Sequence, residues 1–349
     1  MNIKRKELIK NEIKYYLKYD NVLTPNEKDN FINKLFVEKL NDYENLIFDY
    51  FYSHSDDDGN IISLESFLLY NKKEEEKYRK INDIFLKQLF KDNKPLMFFD
   101  VDNTITNYGK LSEEKRQYIK NFNQKDRIIL STGKAYEAIM DVVSACELQD
   151  SLASCLNGSV LAEKNKFIML NGIGNVSKQL IEEIEKTDIE YIYYYVDGAY
   201  SKKELNEKNT TWMQKYNEYY TINENIDFDK VIKILTFVFD DEKDKENKIK
   251  EIADKYQDLV SLRTGYHCYE ILRYDQHKGN TVKLISEKLG KYYRLSIGVG
   301  DSMNDLKMLE YVGKGYVVDT VSEELGVYNF EKLNKNRDID IVEIIEKYK

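Results

Sequence analysis

Leu96-Met97-Phe98-Phe99-Asp100-Val101-Asp102-Asn103-Thr104 is the stretch that decides the architecture. Four consecutive apolar residues, with Pro95 before them and a carboxylate after, read as a short strand buried on both faces, the kind that lies inside a parallel sheet. Outward from it the pattern repeats. A helix-like segment at 112–122 is followed by the apolar run RIILS, a helix-like 135–147 and then ASCL; later come a helix at 279–289, the strand LSIGVG, a helix at 302–312 and the strand YVV. Strands alternating with amphipathic helices predict an α/β fold, a doubly wound Rossmann-like parallel sheet covered by helices.

Between about 173 and 267 the runs YIYYYV, ILTFVFD and DLVSLRT, separated by helix-like stretches, predict an α+β unit inserted into the sheet domain. Ahead of Pro95, apolar residues fall at helical spacing: Leu8, Ile9, Ile13, Tyr16 and Leu17, then Phe31, Leu35, Phe36 and Leu40. The expected organisation is a helical appendage over 1–94, a sheet domain built from 95–172 and 268–349, and an insertion at 173–267. A chain of 349 residues that is 42% hydrophobic can bury several such cores.

Composition excludes more than it assigns. A net charge of −9 argues against a nucleic-acid partner, which requires basic surface. An acidic protein that binds a small anion must supply positive field locally, from a metal ion, a lysine or backbone amides. Three cysteines, odd in number and without a CxxC pair, indicate neither a disulfide framework nor a zinc site, and a reducing cytoplasm fits best. No stretch reaches the roughly 18 apolar residues of a membrane span, and the charged N-terminus lacks the apolar core of a signal peptide.

Four polar segments carry the chemistry. Asp100 and Asp102 follow the first strand, and ligands of open parallel sheets sit beyond the carboxyl ends of strands. Ser131-Thr132-Gly133-Lys134 ends the second strand and opens a helix; hydroxyl and free amides there suit an anion, though alone they describe an ordinary N-cap. Lys278-Gly279 begins another helix, where a fixed ammonium can neutralise phosphate oxygens, although a lone lysine is usually surface. Gly300-Asp301-Ser302-Met303-Asn304-Asp305 again leaves a strand for a helix, and its carboxylates four apart can reach one hard cation. All four segments sit at strand ends or helix starts of one sheet domain, as a single site requires.

In this order and placement the segments resemble the four signature motifs of the haloacid dehalogenase superfamily. The likeness covers 95–349 and is strongest to the Cof-like branch, whose members carry a type C2B cap between the second and third motifs; Asn157-Gly158-Ser159 and GDSMNDLKML are similar to that branch's segments. The resemblance implies a magnesium-dependent phosphatase acting on a small-molecule phosphate ester. Asp100 would be the nucleophile and Asp102 the general acid and base, with Thr132, Gly133 and Lys278 holding the phosphoryl group. Asp301, Asp100 and the Asp102 carbonyl would bind magnesium, with Asp305 and Asn304 supporting them and Asn157 in the turn beside. Dehalogenases of the superfamily lack the second aspartate. Three departures stand out: Lys134 where the branch usually has Arg, Asn103 where Gly is commoner, and YVVDTVSEEL where an MGNA-type sequence is usual.

Aromatic and basic residues of the insertion, Tyr193, Tyr195, Trp212 and Arg263, are candidates for substrate contact, against the plainer reading that such residues form a core. In the appendage, His54 to Glu65 resembles a calcium loop, with Asp56, Asp58, Asn60 and Glu65 at ligand positions but His54 at the first. Because His54 removes an anionic oxygen ligand and no second such loop is visible to pair with it, a plain acidic inter-helix loop is the favoured reading. Two other functions compete: a phosphomutase of similar construction, which needs a basic cluster in the insertion that the sequence does not plainly show, and an interaction protein whose helices bind an unknown partner, for which paired aspartates are unnecessary.

Overall fold

The computed structural model describes residues 94–348 with short interruptions at 108, 123–126, 165, 217, 240, 265–267, 290 and 292, and a few isolated positions before residue 34. The helical appendage and its acidic loop, with Asp56, Asp58, Asn60 and Glu65, fall outside the described residues. An eight-stranded sheet forms the base. It comprises β1 (Met97–Phe99), β2 (Ile128–Ser131), β3 (Leu152–Cys155), β4 (Val160–Glu163), β5 (Lys166–Met169), β12 (Ile297–Gly300), β13 (Lys314–Val317) and β14 (Glu331–Lys332), in the order β14-β13-β12-β1-β2-β3-β4-β5. The first six in that order run parallel, while β4 and β5 form an antiparallel edge. The apolar run that suggested a two-sided strand is buried throughout, from Leu96 to Phe99.

The central register places the site. Phe99 lies opposite Leu130 on β2 and Val299 on β12, so three neighbouring strands end level with one another and release their polar loops side by side. The strand order reverses about β1, and such a switch point leaves a crevice beyond the carboxyl ends. The first α-helix of the sheet domain starts on a side-chain cap. Ser112 Oγ accepts from the Lys115 amide ahead of Glu113–Phe122, whose first turn carries Glu113 and Glu114 where the helix dipole favours negative charge. The stretch expected as one helix over 135–147 is a 3-10 turn, Tyr136–Ile139, leading into Met140–Ala145.

The insertion is a second, six-stranded sheet of order β10-β11-β9-β6-β7-β8, from β6 (Tyr191–Tyr195), β7 (Gly198–Ser201), β8 (Tyr220–Ile222), β9 (Lys233–Phe237), β10 (Leu259–Thr264) and β11 (Cys268–Arg273). Here the boundary differs from the sequence expectation. Residues 268–273 pair with β10 along their whole length and with β9 over Cys268 to Ile271, so the chain returns to the first sheet only after Arg273. One face of this sheet, with Tyr191, Tyr193, Tyr195, Ile234 and Ile271, packs on the helices Val176–Ile184 and Lys243–Ala253. The alternate residues Ile192, Tyr194, Leu235, Phe237 and Cys268 join the same apolar core as β1 and β2. Period-two alternation thus gives the inserted sheet one private face and one face shared with the parallel-sheet domain. Among the described residues no helix is long and apolar enough to cross a membrane.

Candidate active site

Asp100 leaves β1 with its amide still bonded to the Val299 carbonyl at 3.0 Å, which fixes its backbone between β1 and β12. Its side chain is buried and meets Lys278 Nζ at 2.6 Å; the same ammonium donates to Asp305 Oδ1 at 2.6 Å. Lys278 opens the helix Lys278–Lys288 directly after the extended His277, and its side chain is 0% exposed. Burial alone would lower its pKa, but the carboxylates of Asp100 and Asp305 outweigh that and raise it, so the amine stays charged.

Asp305 has a second task. Its Oδ2 accepts from the amides of Asp301 and Ser302 at 2.9 and 3.1 Å, closing a capping box with Ser302 at the start of the helical turn after β12. One oxygen of Asp305 thus caps the turn while the other meets the Lys278 ammonium. Gly300 is required here: a Cβ would lie 2.5 Å from Asp305 Cγ. Asp100, Asp301 and Asp305 each offer a carboxylate oxygen, and these oxygens lie within 4.8 Å of one another. Burial pushes Asp100 well above the ordinary carboxylate range, opposed by Lys278; burial and the adjacent Asp305 push Asp301 up to about 7. Three carboxylates share a single buried ammonium among the described residues. The donor set is all hard oxygen and carries surplus negative charge, which fits a small dication.

Asp102 lies on the other side of the loop that follows β1 and is not in that cluster by its side chain. Its carboxylate, 40% exposed, pairs with Lys134 Nζ at 2.9 Å, and Lys134 also donates to the Tyr216 carbonyl of the insertion at 2.8 Å. Thr132 is buried; its hydroxyl accepts from the Lys134 amide at 3.1 Å and its own amide donates to Ser154 O at 2.8 Å. Gly133 is packed so closely that a Cβ would come 3.0 Å from Asn157 Oδ1. Asn304 reaches Asn157 over a long 3.5 Å contact. The sheet end thus brings Asp100, Lys278, Asp301 and Asp305 into direct contact or near it, with Asp102, Thr132, Gly133, Asn157 and Asn304 around them.

Sequence reasoning missed the ceiling of the site. Lys233, Glu270 and Tyr194 lie on the shared face of the inserted sheet. Lys233 is buried, pairs with Glu270, donates to the Gly133 carbonyl at 2.9 Å and sits 4.6 Å from the Tyr194 ring centre. Glu270 accepts from Asn157 Nδ2 at 2.8 Å, and Tyr194 donates to Glu218 at 2.5 Å. Of the aromatic candidates for substrate contact, Tyr193 and Tyr195 are on the wrong parity of the same strand and belong to the private core, while Trp212 packs against the shared one. The available signal was a lysine and a glutamate within otherwise apolar strands, where an unpaired charge is costly.

The chain matches the family described as haloacid dehalogenase-like hydrolase over residues 97–338. The Bacillus subtilis 5-amino-6-(5-phospho-D-ribitylamino)uracil phosphatase YcsE is 23% identical over 232 residues, spanning 65% of this chain and 85% of the relative. A Thermotoga maritima protein of solved structure shares the fold with a TM-score of 0.65 at 20% identity, over 73% of this chain and 98% of its own. The haloacid dehalogenase subclass IIB sugar phosphatase BT4131 does so with a TM-score of 0.61 at 16% identity, over 72% and 98%. With two thirds of its length in the family match and a lysine-bridged aspartate pair across the ends of β1 and β12, the chain belongs to the haloacid dehalogenase-like hydrolases and is a phosphatase of their Cof-like branch.

Proposed function

We propose that the protein is a magnesium-dependent phosphatase of a small phosphorylated metabolite, a sugar phosphate or a phosphorylated cofactor, working through an aspartyl phosphate on Asp100. The observation that carries this reading is Lys278 Nζ held at 2.6 Å from both Asp100 and Asp305, with Asp301 beside them. A phosphate monoester resists an anionic nucleophile, so positive charge must already stand where the two meet. Asp100, Asp301 and Asp305 with the Asp102 carbonyl would hold magnesium, which when bound neutralises phosphate oxygens. Lys278, the Thr132 hydroxyl and the Gly133 backbone would orient the phosphoryl group.

In the first step an Asp100 carboxylate oxygen bonds to phosphorus as the bond to the ester oxygen breaks, and Asp102 gives its proton to that leaving oxygen. In the second, water attacks phosphorus, Asp102 takes the water proton, and Asp100 departs as carboxylate. The exposure of Asp102 toward the insertion suits a group that meets the leaving alcohol, while the burial of Asp100 suits one that meets only phosphorus. The insertion would act as a cap that selects the alcohol, and a reducing cytoplasm suits the three buried, unbridged cysteines. YcsE is a phosphatase of a phosphoribitylamino-uracil and BT4131 is a sugar phosphatase, so phosphorylated sugars and sugar-bearing cofactor precursors are the first compounds to try.

The test is a screen of phosphorylated metabolites with magnesium and with EDTA, using Asp100→Asn as control. Phosphate release that needs magnesium and vanishes in the variant is expected; release surviving both would overturn the mechanism.

A further inference from the structure

The nucleophile loop, Val101–Ile105, is tied only loosely to itself. Ile105 N reaches the Asp100 carbonyl at 3.3 Å, and Thr106 donates to Val101 O through its amide at 2.9 Å and its hydroxyl at 3.1 Å. Asn103 has φ 55°, a left-handed turn within the loop. Two cations from elsewhere in the chain meet the loop's carbonyls. Lys115 Nζ donates to Thr104 O at 3.0 Å, and Arg337 Nη2 donates to Asn103 O. Both cations also pair with one carboxylate: Lys115 with Asp340 Oδ1 at 2.8 Å, and Arg337 through Nη1 with Asp340 Oδ2.

This cluster is deep. The side chains of Lys115 and Asp340 are fully buried and that of Arg337 nearly so. Two buried cations against one anion leave positive charge that the loop carbonyls must help to satisfy. The Asn103 side chain acts on Asp301, holding its carboxyl below where burial alone would put it, so Arg337 is one residue from the carboxylate cluster. Asp102 itself immediately precedes the Asn103 peptide, and its half-open carboxylate is held from the far side by Lys134. Its position is therefore set by the loop backbone on one side and by Lys134 on the other.

We propose that Lys115, Asp340 and Arg337 form a buried strap that positions the nucleophile loop for catalysis, Arg337 acting as a positioning residue for Asp102 through the Asn103 carbonyl. The inference rests on the roles assigned above to Asp100 and Asp102. Arg337 bonds the loop backbone and Asp340, so its loss is expected to affect the chemical step and not ester binding. Misplacing a reacting group by about 1 Å costs on the order of 100-fold.

Arg337→Met is expected to lower kcat by about 10- to 100-fold, with KM for the ester changed by less than about twofold, at a temperature where circular dichroism shows the variant folded. Arg337→Lys keeps one cationic contact and should recover part of the lost kcat. Wild-type kcat in the folded Arg337→Met protein, a rise in KM alone, or Arg337→Lys no better than Arg337→Met would each overturn the strap. Asp100→Asn, assayed in parallel, separates the two claims. If it retains full turnover, the nucleophile assignment fails whatever the Arg337 variants do; if it is inactive while Arg337→Met is normal, only the strap fails.

Discussion

Two lysines serve the two aspartates of the nucleophile loop, and they are built on opposite plans. Lys278 is sealed beneath Asp100 and shared with Asp305, every partner belonging to the parallel-sheet domain. Lys134, 14% exposed, joins the half-open Asp102 to a carbonyl of the inserted domain. The floor of the site is preorganised by one domain; the rim depends on where the other one sits. On the mechanism proposed above, the step common to all substrates would take place on the floor, and discrimination among them would fall to the rim.

The largest effect should come from the floor. Asp100→Asn is expected to reduce turnover by on the order of 10⁴-fold or more, whatever the leaving group. Asp102→Asn should cost about 10²- to 10⁴-fold with an alkyl phosphate and clearly less with p-nitrophenyl phosphate, whose phenolate needs little protonation. An equal loss on both esters, measured as kcat/KM so that the hydrolysis step common to both does not enter, would remove Asp102 from the leaving-group side.

Replacing the lysines tests the contrast in stability. Lys278→Met strands Asp100 and Asp305 together in the interior and should destabilise by about 3–5 kcal/mol, while Lys134→Met, at a partly solvated pair, should cost at most about 1 kcal/mol. Urea midpoints that fall equally for the two variants would erase the distinction. A smaller effect than the loss of Lys278 concerns the metal. Magnesium at about 100 times its Kd should add about 2.7 kcal/mol to the stability of the wild-type protein, read as a rise in Tm over the EDTA-treated sample, and Asp301→Asn should abolish most of that rise. A variant that kept the full shift would move the ion elsewhere.

How much of this was readable from the residues depends on distance along the chain. The β1 apolar run, the Ser112 cap and the Asp301–Asp305 turn are local signals, and each element formed where its own sequence asked for it. The convergence of Asp100, Lys278 and Asp301 was readable because all sit at strand ends or helix starts of an alternating α/β pattern. The assignment of 268–273 failed because a buried strand reads the same in either sheet; its partners, β9 and β10, decide. Lys233–Glu270 and Arg337–Asp340–Lys115 were invisible for a related reason. A lysine in a strand carries no mark of the carboxylate that neutralises it, and Lys115 falls on an otherwise amphipathic helix where a solvated position is the ordinary expectation.

Asp100 and Lys278 lie 178 residues apart. At ribosomal rates of about 5–20 residues per second, the aspartate emerges on the order of ten seconds or more before the amine that neutralises it. Until then the first half-domain has an uncompensated acidic strand end, and closure must await synthesis of the whole intervening segment. With the role proposed for Lys278, enzymatic competence would be a late event in the life of each molecule, and a polypeptide arrested anywhere before residue 278 would be born inert.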